Sequence, residues 1–343
     1  MQFDRLELWV ADIAVVQRTL TSRFGFAFIE SPFPDCVDEE SAHLRCGGVD
    51  LVIRQGLSGA NPIARHVARH GDGVGDVGFV SRDAGAVIDA ARARGLNVLE
   101  RDDDHQIDVL GDGTILHSIR EAEGRVEGPP RGPYFRPMDP ETRCTVDHVT
   151  YCLPWGAMDR VTETYSEVFG FHRIEIPDCA RVGDDATGMR SVVLRSSPGS
   201  TLVLTEPINA TSAGQTQRFI HGHAGAGVQH VAIAYDDLVA AVGRLRANGA
   251  AFLAIPEPHL ERSHARFRDR ALPWDALRRH QIMVDADDDG LLFQLFTMPI
   301  TVHGGFFLEL VQRDGATTFG AANVRGLFAA VDAAMSAGRS ELA

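Results

Sequence analysis

An internal repeat constrains this chain more than any other feature. Gly73-Val74-Gly75-Asp76-Val77 recurs as Gly227-Val228-Gln229-His230-Val231, and a Gly-rich approach precedes both. Each copy opens a strand, continues into a helix (83–94 and 237–248), then meets Gly and another strand. Phe3-Asp4-Arg5-Leu6, running to Phe24-Gly25-Phe26, is echoed by Val146-Asp147-His148-Val149, running to Phe169-Gly170-Phe171. Leu44-Arg45-Cys46-Gly47-Gly48 before Leu51-Val52-Ile53 is likewise echoed by Leu194-Arg195-Ser196 before Leu202-Val203-Leu204. Self-similarity of this kind decides architecture before any local propensity does. Each half therefore holds two modules of strand, helix and further strands, and the chain reads as a tandem duplication of class α+β.

The expected boundary is Gly128-Pro129-Pro130-Arg131-Gly132-Pro133, where Pro and Gly resist regular structure. That gives a first domain over 1–135 and a second over 140–343, closed by a helix over 324–337. Leu327, Phe328, Val331 and Met335 recur there at helical spacing. A length of 343 residues suits two ordinary domains. The net charge of −14 and the absence of any basic block exclude a polyanion as main partner, so no nucleic acid is expected. No apolar run is long enough to cross a bilayer, the N-terminus lacks a signal-peptide layout, and no C-x-x-C pair occurs among Cys36, Cys46, Cys144, Cys152 and Cys179. A cytoplasmic protein with free thiols and no membrane partner is the expectation.

The duplication provides its own control. Glu309 interrupts the apolar, strand-like Gly305-Phe306-Phe307-Leu308-Glu309-Leu310-Val311, and His148 and His230 interrupt two other strands. A buried strand seldom keeps an ionised Glu unless a cation or partner offsets its desolvation. The aligned positions of the first half are Arg5, Asp76 and Ser118. Histidines required by the fold would occupy both halves; these occupy one, which favours function. Two imidazoles and one carboxylate on separate strands match the facial ligand set of non-haem Fe(II), with three positions left open. Zn²⁺ could accept the same set. In the bland alternative the histidines are satisfied core residues and Glu309 pairs with an arginine.

Period two identifies neighbours on the inward face. Gln294 shares a face with Phe296, Phe307 with Glu309, and Val203 with Thr205. For the apolar members, plain core packing explains the pattern equally well. Gln294 needs a ligand or polar side chain, because a buried amide without one is costly. Gln229 points to the opposite face from His230 if that strand is regular. His66, His70, His221 and His223 lie in polar, loop-like surroundings and read as solvated.

Taken together, Val146-Asp147-His148, Gly225-Ala226-Gly227-Val228-Gln229-His230, Gln294-Leu295-Phe296-Thr297-x-Pro299, Phe306-Phe307-Leu308-Glu309 and Thr318-Phe319-Gly320-Ala321-Ala322-Asn323 resemble the 4-hydroxyphenylpyruvate dioxygenase and hydroxymandelate synthase family of the vicinal-oxygen-chelate superfamily. The resemblance implies tandem domains of two βαβββ modules, each a curved, barrel-like mixed sheet, with a C-terminal lid helix. It implies Fe(II) held by His148, His230 and Glu309. Ser191, Gln215, Gln229, Gln294 and Asn323 become substrate-pocket positions, joined by Val203, Thr205, Phe296, Phe307, Phe319 and Val324. Implied partners are an aromatic 2-oxo acid and O2, with the first domain serving as the surface of a homodimer. Oxidative decarboxylation followed by attack on the ring gives homogentisate; attack on the benzylic carbon gives 4-hydroxymandelate. Two departures resemble the synthases. Val324 replaces the usual Phe after the lid Asn, and Val203-Leu204-Thr205 replaces Pro-x-Asn. A third departure, Glu257-Pro258-His259-Leu260 in place of a Tyr pair, marks a loop that differs from the family's. A non-redox binding or resistance protein of the same superfamily is the alternative from another class.

Overall fold

The computed structural model describes residues 1–29, 36–100, 105–122, 143–175, 181–182, 186–320 and Asn323. The expected boundary at 128–133, Cys179, Val324 and the expected closing helix lie outside the described residues.

The first half contains β1 (Gln2–Trp9), α1 (Ile13–Phe24), β2 (Ala27–Ile29), β3 (Glu39–Cys46), β4 (Val49–Gly56), α2 (Pro62–His70), β5 (Gly73–Ser81), α3 (Ala84–Ala93), β6 (Asn97–Glu100), β7 (His105–Asp108) and β8 (Leu116–Glu121). The second contains β9 (Cys144–Cys152), α4 (Met158–Glu167), β10 (His172–Ile174), β11 (Arg181–Val182), β12 (Met189–Arg195), β13 (Thr201–Pro207) and α5 (Gln215–Gly222). It continues through β14 (Gly227–Tyr235), α6 (Leu238–Ala247), α7 (Glu257–Arg266), α8 (Trp274–His280), β15 (Met283–Ala286), β16 (Leu291–Phe296) and β17 (Phe307–Asp314).

The repeat becomes two sheets of one topology. Their strand orders are β2-β3-β4-β1-β5-β8-β7-β6 and β10-β12-β13-β9-β14-β17-β16-β15, with β11 added beside β12. In each, two βαβββ modules meet through an antiparallel pair of first strands, β1 with β5 and β9 with β14. Each first strand then runs parallel to the last strand of its own module. The expected tandem α+β architecture is therefore present, as curved sheets that do not close on themselves.

Local signals repeat as well. Asp12, Asp83 and Asp237 cap the helices that follow the module-opening strands, accepting from Val15, Ala86 and Ala240 N–H groups at 3.0, 2.8 and 2.9 Å. Such caps satisfy donors that the first helical turn leaves open. Glu257-Pro258-His259-Leu260 forms the start of α7 after Pro256, so this departure from the family pattern is helical.

Bulges repeat too. In the β9–β14 pair the register slips once at Asp147 and once at Gln229. In β1–β5 it slips at Asp4 and Gly75, the aligned positions. A bulge breaks strict alternation and re-aims its side chain. These four belong to the shared fold.

One hydrophobic core runs through both sheets, joining Leu8, Phe79 and Ile119 to Tyr151, Tyr165 and Val231. The seam is also polar. Buried His117 reaches the Tyr165 hydroxyl at 2.7 Å, and Phe3 N donates to Ser200 Oγ at 2.9 Å. Asp72 accepts from Ala11 N at 2.8 Å and from His303 N at 3.1 Å, while its own N–H donates to His303 O at 2.5 Å. Gly304 has φ +103°, and a Cβ there would stand 2.3 Å from Asp72 O, so the loop entering β17 closes against Asp72 only as glycine.

Asp72→Ala leaves two backbone donors at this seam without their acceptor. Denaturant unfolding should show a loss of about 2 kcal/mol, the cost of a stranded buried hydrogen bond. An unchanged midpoint would show that the Asp72 bridge carries no stability.

Candidate metal centre

β9, β14 and β17 lie side by side, and their register explains why three distant residues meet. Ala232 of β14 pairs with His148 on one side and with Glu309 on the other. His230 lies two residues before Ala232, on the same face of β14. The small methyl of Ala232, fully buried, leaves the space above it to the three longer side chains. His148, His230 and Glu309 are 2%, 7% and 3% exposed.

Glu309 Oε2 stands 3.3 Å from His148 Nε2 and 3.2 Å from His230 Nε2. One donor atom from each residue lies within 4.8 Å of the others. Two ligands at adjacent positions around a metal with bonds of about 2.1 Å are about 3.0–3.4 Å apart. The centre thus has ligand-like spacing.

Both imidazoles have a fixed outer nitrogen. His148 Nδ1 is 2.7 Å from Asp147 Oδ1, and His230 Nδ1 is 3.2 Å from Gln229 Oε1. Asp147 and Gln229 are the two bulge residues. A regular strand would turn Gln229 away from His230, but β14 is not regular there: alternation is interrupted one residue before each histidine. With Nδ1–H donating outward, each Nε2 keeps its lone pair for a metal.

Asp147 is held in turn by Arg313, whose Nε and Nη2 donate at 2.7 and 2.9 Å. Arg313 Nη1 also donates to Thr318 O at 2.6 Å, and its guanidinium lies over Phe319. Phe319 meets the His148 ring edge-on at 4.8 Å and packs with Val203. On the other ligand, Gln294 Nε2 donates to Glu309 Oε1 at 2.6 Å, and Gln294 Oε1 accepts from Asn323 Nδ2 at 2.7 Å. The polar partners expected for Gln294 are thus Glu309 and Asn323. Phe307 stacks on His230 at 5.0 Å and meets Phe296 edge-on at 6.1 Å.

Thr205 turns its hydroxyl to Tyr151 O at 2.9 Å, with Ser191 opposite it in register on β12. Gln215 and Gln229 line a cavity that reaches Phe296 and Phe307. Sequence reasoning missed Asp147, Ala232 and Arg313. Arg313 was accessible, since it follows Glu309 by four residues on one face of β17; a bulge has no such periodic signature. The arginine of the bland alternative exists, but its partner is Asp147.

Charge explains the arrangement. Burial opposes ionisation of Glu309, yet His148 and then His230 hold it down at about 2. Burial likewise opposes a charged His148, but Glu309 and Asp147 lift it to about 9. Burial lowers His230, against the pull of Glu309. In the metal-free protein a proton on His148 therefore supplies the positive charge that the carboxylates demand. A cation bound between the three donors would replace it.

In the first half the aligned positions are filled differently. Asp76 accepts from Gln106 Nε2 at 2.5 Å, Ser118 N at 3.1 Å and Ser118 Oγ at 3.0 Å. Arg5 Nε pairs with buried Glu7 at 3.1 Å. These groups satisfy one another where the second half presents converging donors.

The chain is similar to known proteins in both sequence and fold. Residues 145–295 match the Glyoxalase/Bleomycin resistance protein/Dioxygenase superfamily. A 4-hydroxyphenylpyruvate dioxygenase from Sus scrofa is 30% identical over 308 residues, 82% of this chain and 78% of the relative. One from Dictyostelium discoideum is 27% identical over 96% of this chain and 97% of its own length. Among solved structures, a triple mutant of 4-hydroxymandelate synthase from Streptomyces coelicolor superposes with a TM-score of 0.83 and 29% identity, over 97% of this chain and 99% of that one.

Two outcomes test the centre as a metal site. Asp147→Ala frees the outer nitrogen of His148 and should weaken divalent-metal binding by about tenfold to a hundredfold in a Co²⁺ titration; unaltered affinity would remove Asp147 from the centre. A metal must also displace the His148 proton, which persists up to about 9. Affinity should therefore strengthen as pH rises from about 6 towards that value, with proton release measurable by calorimetry in buffers of different ionisation heat. Affinity independent of pH over that range would contradict it.

Proposed function

Because the chain belongs to the 4-hydroxyphenylpyruvate dioxygenase and hydroxymandelate synthase family, we propose that it is an Fe(II)-dependent enzyme converting 4-hydroxyphenylpyruvate and O2 to 4-hydroxymandelate and CO2. The observation that carries this reading is the convergence of His148 Nε2, His230 Nε2 and Glu309 Oε2 within 4.8 Å in a buried site. Bound ferrous iron would supply the dioxygen chemistry and the oxidative decarboxylation.

The residues around it hold and orient. Asp147 and Gln229 keep both imidazoles turned inward. Gln294 directs Glu309 and ties it to Asn323, while Phe296, Phe307 and Phe319 form apolar walls suited to an aryl ring and to excluding water. No protein group here needs to act as acid or base. Positioning of the ring relative to the reacting oxygen selects the product.

Homogentisate and 4-hydroxymandelate are isomers, so only the point of oxygen insertion separates them. Val203 and Thr205 stand where dioxygenases carry Pro-x-Asn, and the Thr205 hydroxyl is engaged with a backbone carbonyl. Val324 is smaller than the usual Phe. A less confining wall lets the ring tilt and brings the benzylic carbon nearer to the oxidant, which favours 4-hydroxymandelate. Homogentisate formation is the second reading, supported by relatives that carry the dioxygenase name.

Incubation with Fe(II), O2 and 4-hydroxyphenylpyruvate, with products separated by chromatography, distinguishes the two. The expected main product is 4-hydroxymandelate, and Val324→Phe should raise the share of homogentisate. Homogentisate alone from the unaltered protein would reverse the assignment.

A further inference from the structure

The three donors do not account for every inward-facing group beside them. On the sheet, β9 and β14 form a square at the centre, with His148 and Thr150 on one strand and Ala232 and His230 on the other. Ala232 pairs with His148 and His230 pairs with Thr150. Thr150 therefore neighbours His230 across the ladder and His148 along its own strand. The β9 bulge lies at Asp147, before His148, so alternation is regular from His148 onward and Thr150 shares its face. Val149 and Tyr151 point the other way, into the main core. On its far side Thr150 is in register with Val203, which packs against Phe319, and Phe319 meets the His148 ring.

Thr150 is 3% exposed, and its hydroxyl is buried with no hydrogen-bond partner among the described residues. Native proteins rarely strand such an atom. A valine would fill the same shape without that cost. The hydroxyl is thus suited to a partner that arrives with the substrate.

The duplication again supplies a control. The aligned position of the first half is Glu7, which pairs with Asp76 and Val52 as Thr150 pairs with His230 and Val203. Glu7 serves structure. It accepts from Arg5 Nε at 3.1 Å, Arg54 Nη1 at 3.2 Å and Trp9 Nε1 at 3.4 Å. Trp9 opens a ladder of rings through His66, His70 and His223 to Phe219, with successive centroids 4.8, 4.6, 4.9 and 5.1 Å apart. His70 is buried, and its Nδ1 lies 2.6 Å from His223 O. Contrary to the expectation from sequence, these histidines are not solvated; His221 alone of the four is exposed. One copy satisfies the position from within, and the other turns an unpaired hydroxyl toward the three donors.

We propose that Thr150 is a substrate-binding residue that selects for a 2-oxo acid head, its Oγ–H donating to an oxygen of that head. The inference rests on the reading of the substrate as an aromatic 2-oxo acid. Because Thr150 adjoins both histidines, the part of the substrate within its reach is the part that meets the donors. An ionised 2-oxo acid head carries acceptor oxygens and no donor, which matches a hydroxyl proton. A hydrogen bond to a charged acceptor is also the stronger kind.

Two measurements on the full chain test this assignment. The first needs no substrate. Thr150→Val removes the unpartnered hydroxyl at constant shape, so its denaturant midpoint should equal or exceed that of the unaltered protein. A lower midpoint would reveal a structural partner for the hydroxyl and overturn the proposal. The second is anaerobic calorimetric binding of 4-hydroxyphenylpyruvate and of phenylpyruvate to the Fe(II)-loaded protein. Thr150→Val should weaken both by the same factor, about tenfold, and Thr150→Ser should keep most of the affinity. Equal binding by Thr150→Val would overturn the proposal, as would a loss confined to 4-hydroxyphenylpyruvate, which alone carries the phenol. Absence of 2-oxo acid binding by the unaltered protein would refute the substrate reading together with the proposal, whereas homogentisate as product would refute the product reading alone.

Discussion

The structure depends on one electrostatic demand: a carboxylate and two imidazoles are buried side by side at the centre of an apolar sheet. Glu309 stays ionised there against desolvation only because positive charge lies within hydrogen-bonding distance. Without metal that charge is a proton on His148, supported from outside by Asp147, which Arg313 neutralises in turn. The chain Arg313–Asp147–His148–Glu309 alternates in sign and is almost wholly enclosed. Replacing the central proton by a divalent ion preserves that alternation, which is why the geometry suits a cation and explains the choice of donors.

Duplication explains how the demand is met in one half and avoided in the other. Both sheets share strand order, helix caps and paired bulges, so the scaffold that re-aims side chains within the module-opening strands is common to the two copies, whose chemistry differs. In the first half the bulges fall at Asp4 and Gly75, and the nearby polar groups close on one another through Asp76, Ser118 and Gln106. In the second, the same bulges fall at Asp147 and Gln229 and become the braces of two imidazoles. The first copy keeps a structural part, supplying Asp72 and the ring ladder that seat the loop and helix beside the cavity.

Much of this was legible in the sequence. The repeat gave the module order, the capping aspartates marked the helices, and His148, His230 and Glu309 stood out because each interrupts an apolar strand in only one copy. Gln294 was marked by the same logic of a buried amide needing partners. The bulges were hidden, because one extra residue in a strand leaves no periodic trace, and periodicity could orient Gln229 only for a regular strand. The seam was hidden for another reason. His70 and His223 are 153 residues apart, and the polarity of their local surroundings says nothing of the partner that buries them.

The central claim is that three side chains of the second sheet hold one ferrous ion. Anaerobic reconstitution with Fe(II), removal of loosely bound metal and determination of iron per chain measures it directly, for the unaltered protein beside Glu309→Ala. The account predicts one tightly held iron per chain in the first and loss of it in the second, with the fold intact by circular dichroism. Equal iron content in the two proteins would contradict it.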